Sequence, residues 1–320
     1  MNGITILSAA AALPARRMTN DDMAAIVDTS DEWISTRTGI RQRYFCAGEE
    51  TVWQLAARAA RRALDEAGID PARLAACVVA TMSPAYATPS TACLVQRELG
   101  LEESILCFDL NAACSGFVFA LETVRGLVTD EKPYALVIGA EALSHITDFS
   151  DRSTCVLFGD GAGAVVVAKS GAPFACVHGA RGNSEALVCP AFGSEKQYLG
   201  MDGRAVFRFA VDILPRCIGG VLDKSGLAME DIDYFVCHQA NRRILDHVVK
   251  SMKADPAKFY MNLARYGNTS AASIPLALAD MHTEGLLRPG MRLVCAGFGG
   301  GFTWGGVLVC WREKGEHLCD

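Results

Sequence analysis

The sequence predicts an α/β protein of two similar halves, residues 1–170 and 171–320. Three features carry that expectation. Continuous apolar runs alternate with helical patterns along the chain. Segments on either side of the midpoint match at a constant spacing of 157 residues. Each half closes on glycines that lead into an apolar run, FGDGAGAVVV at 158–167 and FGGGFTWGGVLV at 298–309.

The elements follow in order. TVWQLAARAARRALDEAG is an alanine-rich helix that Gly68 should close as a C-cap. VVAT, ILCFDL, ALVIGA and AVVVA are strands of the first half, and FVCH, LVCAG and VLVC are strands of the second. These runs are continuous rather than alternating, as in sheets covered on both faces. FVFALETVRGLV reads as a buried helix. In QANRRILDHVVKSM, Ile244, Val248 and Met252 share one face beside Leu245 and Val249. The repeat aligns Val79 with Val236, Asn111 with Asn268, Leu121 with Leu278, and Val137 with Val294. Two such halves pack core against core about a pseudo-twofold axis. Sites should gather where strands end and helices begin, near that axis.

Composition narrows the class. Of 320 residues, 51% are hydrophobic and 21% charged, which is globular. Thirty basic against 36 acidic residues give a net charge of −6, which argues against wholesale nucleic-acid binding. The 13 cysteines form no CxxC pair and no cluster of zinc spacing, so reduced, mostly buried thiols in a cytoplasmic protein are expected. The opening MNGITILSAAAALPARR lacks the basic start of a signal peptide. Leu293–Trp311 is uncharged but holds six glycines, which predicts two strands around a glycine loop and no membrane span.

Cys114 is the first candidate for chemistry. It lies in Asn111-Ala112-Ala113-Cys114-Ser115-Gly116, between a strand and a helix, where free amides and the helix dipole should lower a thiol pKa. A buried structural cysteine is the plainer reading. Among six histidines (145, 178, 238, 247, 282, 317), only His238 directly follows an apolar strand at a strand–helix junction, although a satisfied core histidine would look the same. Asn268 sits in YGNTSAAS and takes the place of Asn111, while Ala271 takes that of Cys114. The repeat therefore draws Cys114, His238 and Asn268 towards one axis. Phe298-Gly299-Gly300-Gly301-Phe302 is either a bare turn or a source of backbone N–H groups for an oxyanion. Gly159-Asp160-Gly161-Ala162-Gly163 precedes a strand instead of opening a helix, so it is a poor dinucleotide fingerprint. Between Asn241 and Tyr260 stand Arg242, Arg243, Lys250, Lys253 and Lys258 against Asp246 and Asp255, with Arg204 and Arg208 elsewhere. This is either a solvated face or a dock for an acidic or phosphorylated partner.

Six motifs in order then resemble the β-ketoacyl-acyl-carrier-protein synthase III family. They are DEWISTRTGIRQRYF, NAACSGF, DRSTCVLFGDGAGA, CHQANRRI, YGNTSAASIPLAL and FGGGFTWGG. The resemblance implies the duplicated, five-layer αβαβα thiolase-like fold. It implies decarboxylative condensation of an acyl-CoA primer with malonyl-acyl-carrier protein, initiating fatty acid synthesis by a ping-pong route through an acyl-cysteine. Cys114 would be the nucleophile, and His238 and Asn268 would bind the malonyl thioester and its enolate. The N–H groups of Cys114 and Gly300 would form the oxyanion hole. Trp33, Arg37, Arg152, Asn241 and Arg243 would line the coenzyme A and phosphopantetheine tunnel. Arg208, Arg243, Lys250 and Lys253 would meet the acyl carrier protein. Thr88 would enter the partner subunit's acyl pocket, which implies a homodimer. Its small size would admit primers beyond acetyl. No cofactor or metal is implied, since the CoA and carrier thioesters are substrates, and neither nucleic acid nor membrane is a partner. An acyltransferase of secondary metabolism on the same fold is the alternative.

Overall fold

The computed structural model describes residues 3–312 apart from 192, 193, 195 and 196. Its strands are β1 (Gly3–Ala12), β2 (Leu74–Ala80), β3 (Leu106–Leu110), β4 (Tyr134–Glu141), β5 (Gly161–Ser170), β6 (Ala175–Asn183), β7 (Tyr234–Cys237), β8 (Arg292–Gly299) and β9 (Gly301–Trp311). Two further two-stranded ribbons lie outside this set. The main helices are α1 (Asp31–Thr38), α2 (Val52–Ala67), α3 (Thr91–Leu99), α4 (Gly116–Arg125), α5 (Gly203–Ser225), α6 (Arg242–Met252) and α7 (Ser273–Thr283).

The nine strands run in the order β7-β8-β9-β1-β5-β4-β2-β3, with β6 also paired to β9. The first-half order β3-β2-β4-β5-β1 is repeated by β7-β8-β9-β6, and the bridge from Phe235 to Phe259 stands where β2 meets β3. The registers repeat as well. Val78 pairs with Val137 in β2/β4, and Phe235 pairs with Val294 in β7/β8, both members shifted by the same spacing. The two sets are not separate sheets. Thr5 and Ile6 of β1 pair with Cys310 and Trp311 of β9, beyond the stretch of β9 that pairs with β6, and this short junction makes them continuous.

Helices complete the layers. α2 lies on β1, β5 and β4, with α3 beside it. Its inner face is Leu55, Ala56, Ala59, Ala60 and Ala63, small side chains that let it sit close to the sheet, and Gly68 ends it at φ +60°. α5 and α6 cover the outer face of the second set. α4 and α7 fill the space between the two sets, where Phe117, Leu121, Leu278 and Met281 are fully buried. Truncating Phe117 to alanine would cost roughly 3–5 kcal/mol. The result is the thiolase-like architecture, with two helices at its centre.

Two strands escape the sequence reading. Ser8-Ala9-Ala10-Ala11-Ala12 lacks β-branched residues, yet β1 is held from both sides. β6 carries His178, Arg181 and four glycine-or-alanine positions on a half-exposed edge, so it has no apolar run. The uncharged 293–311 window forms the β8/β9 hairpin, as expected. Among the described residues no helix is long and apolar enough to cross a membrane.

Candidate active site

Cys114 lies in a 3-10 turn, Ala113–Ser115, between β3 and α4. Ala113 adopts φ +48°, and Asn111 Oδ1 accepts its backbone N–H at 3.1 Å. The second half repeats this turn at Ser270–Ala272 ahead of α7. Ser270 also adopts φ +48°, and Asn268 Oδ1 accepts its N–H at 2.9 Å. The two turns abut: a methyl group on Gly116 would stand 3.6 Å from Ala271 Cβ. The nucleophile's turn and its inert copy thus face each other where the halves meet.

Asn268 is buried and held by its backbone. Its N–H donates to the Leu157 carbonyl at 2.8 Å, and its carbonyl accepts from Gly159 N–H at 3.0 Å. Oδ1 is taken by the Ser270 N–H, and the Nδ2 amide has no protein acceptor among the described residues. The 157–159 segment is itself fixed by Arg43, a fully buried guanidinium that donates to Val156 O at 2.6 Å and Asn20 Oδ1 at 2.8 Å.

His238 follows β7, with its N–H on the Ala296 carbonyl at 2.8 Å and its ring edge-on to Phe298 at 5.5 Å. Its Nδ1 lies 2.7 Å from Ser273 Oγ at the head of α7. That oxygen also accepts Gln239 N–H at 3.3 Å. Ser273 has no other acceptor for its proton among the described residues, so it donates to Nδ1 and leaves the ring proton on Nε2. Burial pushes the His238 pKa down to about 3, so the ring is neutral at physiological pH. It is the sole buried histidine among the described residues. His145, His178 and His247 are exposed, His282 pairs with Glu66 at 3.3 Å, and His317 lies outside the described residues.

The β8/β9 turn closes the site. A methyl group on Gly297 would sit 3.2 Å from the Cys114 carbonyl and 3.6 Å from His238 Cβ. One on Gly299 would come within 2.5 Å of the Cys114 amide nitrogen, so only glycine fits. Gly300 lies over Ala113, where its methyl would stand 3.5 Å from Ala113 Cβ. The structure therefore gathers Cys114, His238, Asn268 and Gly300 at one place.

One expectation is corrected. The Cys114 thiol is not lowered: burial pushes its pKa up to about 12, against a downward pull from the Ser270 hydroxyl and a further push from Glu141. α4 begins only at Gly116, and removing the thiolate from water outweighs the helix terminus. Cys114 rests as a thiol. Desolvation likewise raises buried Cys237 and Cys295 to about 12.

The tunnel candidates form a second group. Arg37 and Arg152 flank Trp33, with guanidinium carbons 4.5 and 4.9 Å from the ring centroid. Asn241 caps α6 by accepting Arg243 N–H at 2.9 Å, and its Nδ2 donates to Arg37 O at 3.3 Å. Arg243 Nη2 donates to Thr36 O at 3.3 Å. α1 and the start of α6 are thus tied together, with exposed guanidinium groups around an indole.

The basic segment is smaller than its sequence count. Lys258 spends its ammonium on the carbonyls of Met229, Glu230 and Ile232, and Arg242 pairs with Asp246 at 3.5 Å. Arg208, Arg243, Lys250 and Lys253 remain exposed on α5 and α6, which pack together. Thr88 lies on an exposed loop between β2 and α3. Asp160 proves structural. Buried, it accepts from Cys46 N–H and Ser144 N–H at 2.8 Å each and ties two loops.

Sequence reasoning missed Ser273, Ser270, Glu141 and a small apolar cluster. Leu143, Phe158 and Leu199 are buried there with Met82, Leu187, Cys189 and Met201 around them. Phe158 bridges to Asn268, and the Leu187 carbonyl faces Gly300. Only the repeat, which pairs Ser270 with Ala113, offered any signal for these residues.

Comparison with known proteins agrees with this geometry. The 3-oxoacyl-[acyl-carrier-protein] synthase III model matches residues 108–182, and its C-terminal model matches 222–311. The beta-ketoacyl-[acyl-carrier-protein] synthase III of Clostridium acetobutylicum is 46% identical, over 98% of this chain and 100% of its own. The solved 3-oxoacyl-[acyl-carrier-protein] synthase III of Aquifex aeolicus superposes with a TM-score of 0.91 at 42% identity, covering 97% of this chain and 100% of that one. That of Pseudomonas aeruginosa also gives 0.91 at 42%, covering 98% and 99%. With a buried Cys, His, Asn site on a duplicated fold and these matches across both halves, the chain belongs to the β-ketoacyl-acyl-carrier-protein synthase III family of condensing acyltransferases.

Proposed function

We propose that Cys114, His238 and Asn268 carry the family's reaction in this chain. The reaction joins an acyl-CoA primer to malonyl-acyl-carrier protein and gives 3-oxoacyl-acyl-carrier protein, CO2 and free CoA, the first condensation of fatty acid synthesis. The observation that supports the assignment is the meeting of the two turns, one carrying Cys114 and the other following Asn268, with Gly297 packed between Cys114 and His238.

In the first half-reaction the CoA arm lies between α1 and α6. Arg37, Arg152 and Arg243 meet its phosphates and Trp33 offers a stacking face, with Asn241 holding the start of α6. Cys114 Sγ attacks the thioester carbon. The developing oxyanion is met by the N–H groups of Cys114 and Gly300. The acyl chain turns into the Leu143, Phe158, Leu199 cluster. CoA departs and leaves acyl-Cys114, which divides one hard step into two.

In the second, the carrier protein docks on Arg208, Arg243, Lys250 and Lys253. Loss of CO2 from the malonyl group puts charge on the thioester oxygen, which accepts hydrogen bonds from His238 Nε2–H and Asn268 Nδ2. Both are neutral donors at pH 7, so neither is lost through titration. The carbanion attacks the acyl carbon and Cys114 is released.

The remaining parts of the reading are coarser. The chain divides at 170/171 between β5 and β6, and works as a homodimer in the cytoplasm. β3 ends the sheet with Leu106 exposed, and the Thr88 loop next to it is free to reach a partner. Acyl transfer in secondary metabolism is not favoured, because relatives 46% and 41% identical over nearly the whole chain are condensing synthases. Formation of 3-oxoacyl-carrier protein from acyl-CoA and malonyl carrier, with one CO2 per turnover, tests the reading.

A further inference from the structure

The hydroxyl of Thr303 stands where the nucleophile's turn meets the β8/β9 turn. Its Oγ1 lies 3.0 Å from the Ala112 carbonyl oxygen, 3.1 Å from the Gly300 carbonyl oxygen and 2.8 Å from Ser115 Oγ. Ser115 is fully buried, and its Oγ lies 2.7 Å from the same Ala112 oxygen. Thr303 belongs to the second half and Ser115 to the first. Two hydroxyls and two carbonyls therefore join the halves beside Cys114.

Proton count fixes how this group is wired. Each hydroxyl has one proton to give. If both went to carbonyls, two oxygens 2.8 Å apart would face each other with lone pairs alone. One hydroxyl therefore donates to the other. The chain runs from Ser115 through Thr303 to the Gly300 carbonyl, or from Thr303 through Ser115 to the Ala112 carbonyl. The carbonyl left out keeps a backbone donor, Ser115 N–H on Ala112 at 3.2 Å or Thr303 N–H on Gly300 at 3.4 Å. In both directions the Ser115–Thr303 bond ties the turns, and the bonds in such a chain strengthen one another.

The tie grips the backbone at a telling place. The Ala112 carbonyl is one peptide before the Cys114 N–H, and the Gly300 carbonyl is one peptide after the Gly300 N–H. Each turn also holds a non-glycine residue in the left-handed region, Ala113 at φ +48° and Phe302 at φ +50°. Such a backbone persists only where its surroundings hold it. Gly299, the partner of Thr303 across β8/β9, already touches the Cys114 amide, so any slip of the hairpin moves Gly300 against Cys114. Packing does not call for the hydroxyl, because valine has the same shape and suits a strand equally.

We propose that Thr303, with Ser115, is a positioning residue for the oxyanion hole and sets the separation of the Cys114 and Gly300 N–H groups. The inference rests on Cys114 being the acylated residue and on those two N–H groups meeting the oxyanion. The hole acts when sulfur adds to the thioester carbonyl. It does not act in loss of CO2, where the charge falls to His238 and Asn268.

Single-turnover acylation by acyl-CoA, followed by intact and peptide mass, tests this in wild type, Thr303→Val, Thr303→Ser and Ser115→Ala. Thr303→Val should lower the saturating rate about tenfold, with the half-saturating acyl-CoA concentration within about twofold of wild type. Thr303→Ser should recover to within about threefold. Iodoacetamide alkylates a thiol by displacing iodide and forms no carbonyl oxyanion, so Thr303→Val should alkylate Cys114 at the wild-type rate. CO2 release from malonyl carrier without primer should stay within about twofold. Wild-type acylation in Thr303→Val would overturn the clamp, and so would equal losses in acylation, alkylation and CO2 release, which would mark general damage to the fold. If Thr303→Val does not fold, Ser115→Ala decides: it breaks the same hydroxyl pair and should slow acylation several-fold with alkylation unchanged, and wild-type acylation there would overturn the clamp. Wild-type label on a cysteine other than Cys114, or no label, would instead overturn the nucleophile and the clamp with it.

Discussion

Ala113 and Ser270 adopt the same left-handed conformation, φ +48°, in turns that the duplication makes equivalent. Each is pinned by the asparagine two residues before it, Asn111 or Asn268. One turn carries the thiol and the other carries the carboxamide. Ala113→Gly should therefore relieve backbone strain and leave unfolding free energy unchanged or raised by up to about 1 kcal/mol. A loss of more than about 1 kcal/mol in denaturant unfolding would contradict the strain at this turn.

His238 and Asn268 serve the second half-reaction. His238→Ala or Asn268→Ala should slow malonyl decarboxylation by about 100-fold or more while acylation of Cys114 stays within a few-fold. Equal losses in burst and steady-state phases would show that neither is a dedicated enolate donor.

Ser273 sets the tautomer of His238. Ser273→Ala should reduce decarboxylation by about tenfold, and Ser273→Thr should restore most of it, because each keeps or removes one donor to Nδ1. If Ser273→Ala matched wild type, Nδ1 would have another donor.

The neutral ring has a cost in acid. Burial holds its pKa in the fold down at about 3, against roughly 6.5 for a free imidazole. Below about 6.5 the unfolded chain takes up a proton that the folded site refuses, so this stability is present above pH 6.5 and is lost as pH falls towards 3. Glu141, raised to about 7, titrates in the opposite sense over much of the same interval. The readout is therefore the difference between wild type and His238→Gln, which should shift by about 2 kcal/mol against wild type from pH 7 to pH 5. An unchanged difference in urea unfolding at the two pH values would mean that the folded imidazole takes up its proton as readily as in the unfolded chain.

Charge reversal at Lys250 and Lys253 should raise the KM for malonyl carrier protein several-fold at low salt, with the gap closing at high salt and acyl-CoA acylation unaffected. A salt-independent KM equal to wild type would make this face a solvated one.

Much of the site was legible because position carries meaning in this fold. Cys114 was found at a strand-to-helix turn and His238 directly after an apolar strand, and the repeat added Asn268. The layered order followed from strands without alternation. Other features depend on tertiary surroundings. The thiol pKa was misread because burial of Cys114 by residues from both halves is invisible in its own segment. Ser270, Ser273 and Glu141 are ordinary residue types, and only folding shows which of their atoms find partners and which lack them. β1 was missed because an alanine run has no strand signature until a neighbouring strand, here β5, pairs along it.

Acyl-CoA alone, incubated with the protein and read by intact and peptide mass, asks most directly whether the two halves build one thioester site. One acyl group per chain, on Cys114 and absent from Cys114→Ser, is expected. Acyl transfer to any of the other cysteines, or none in the wild type, would contradict it.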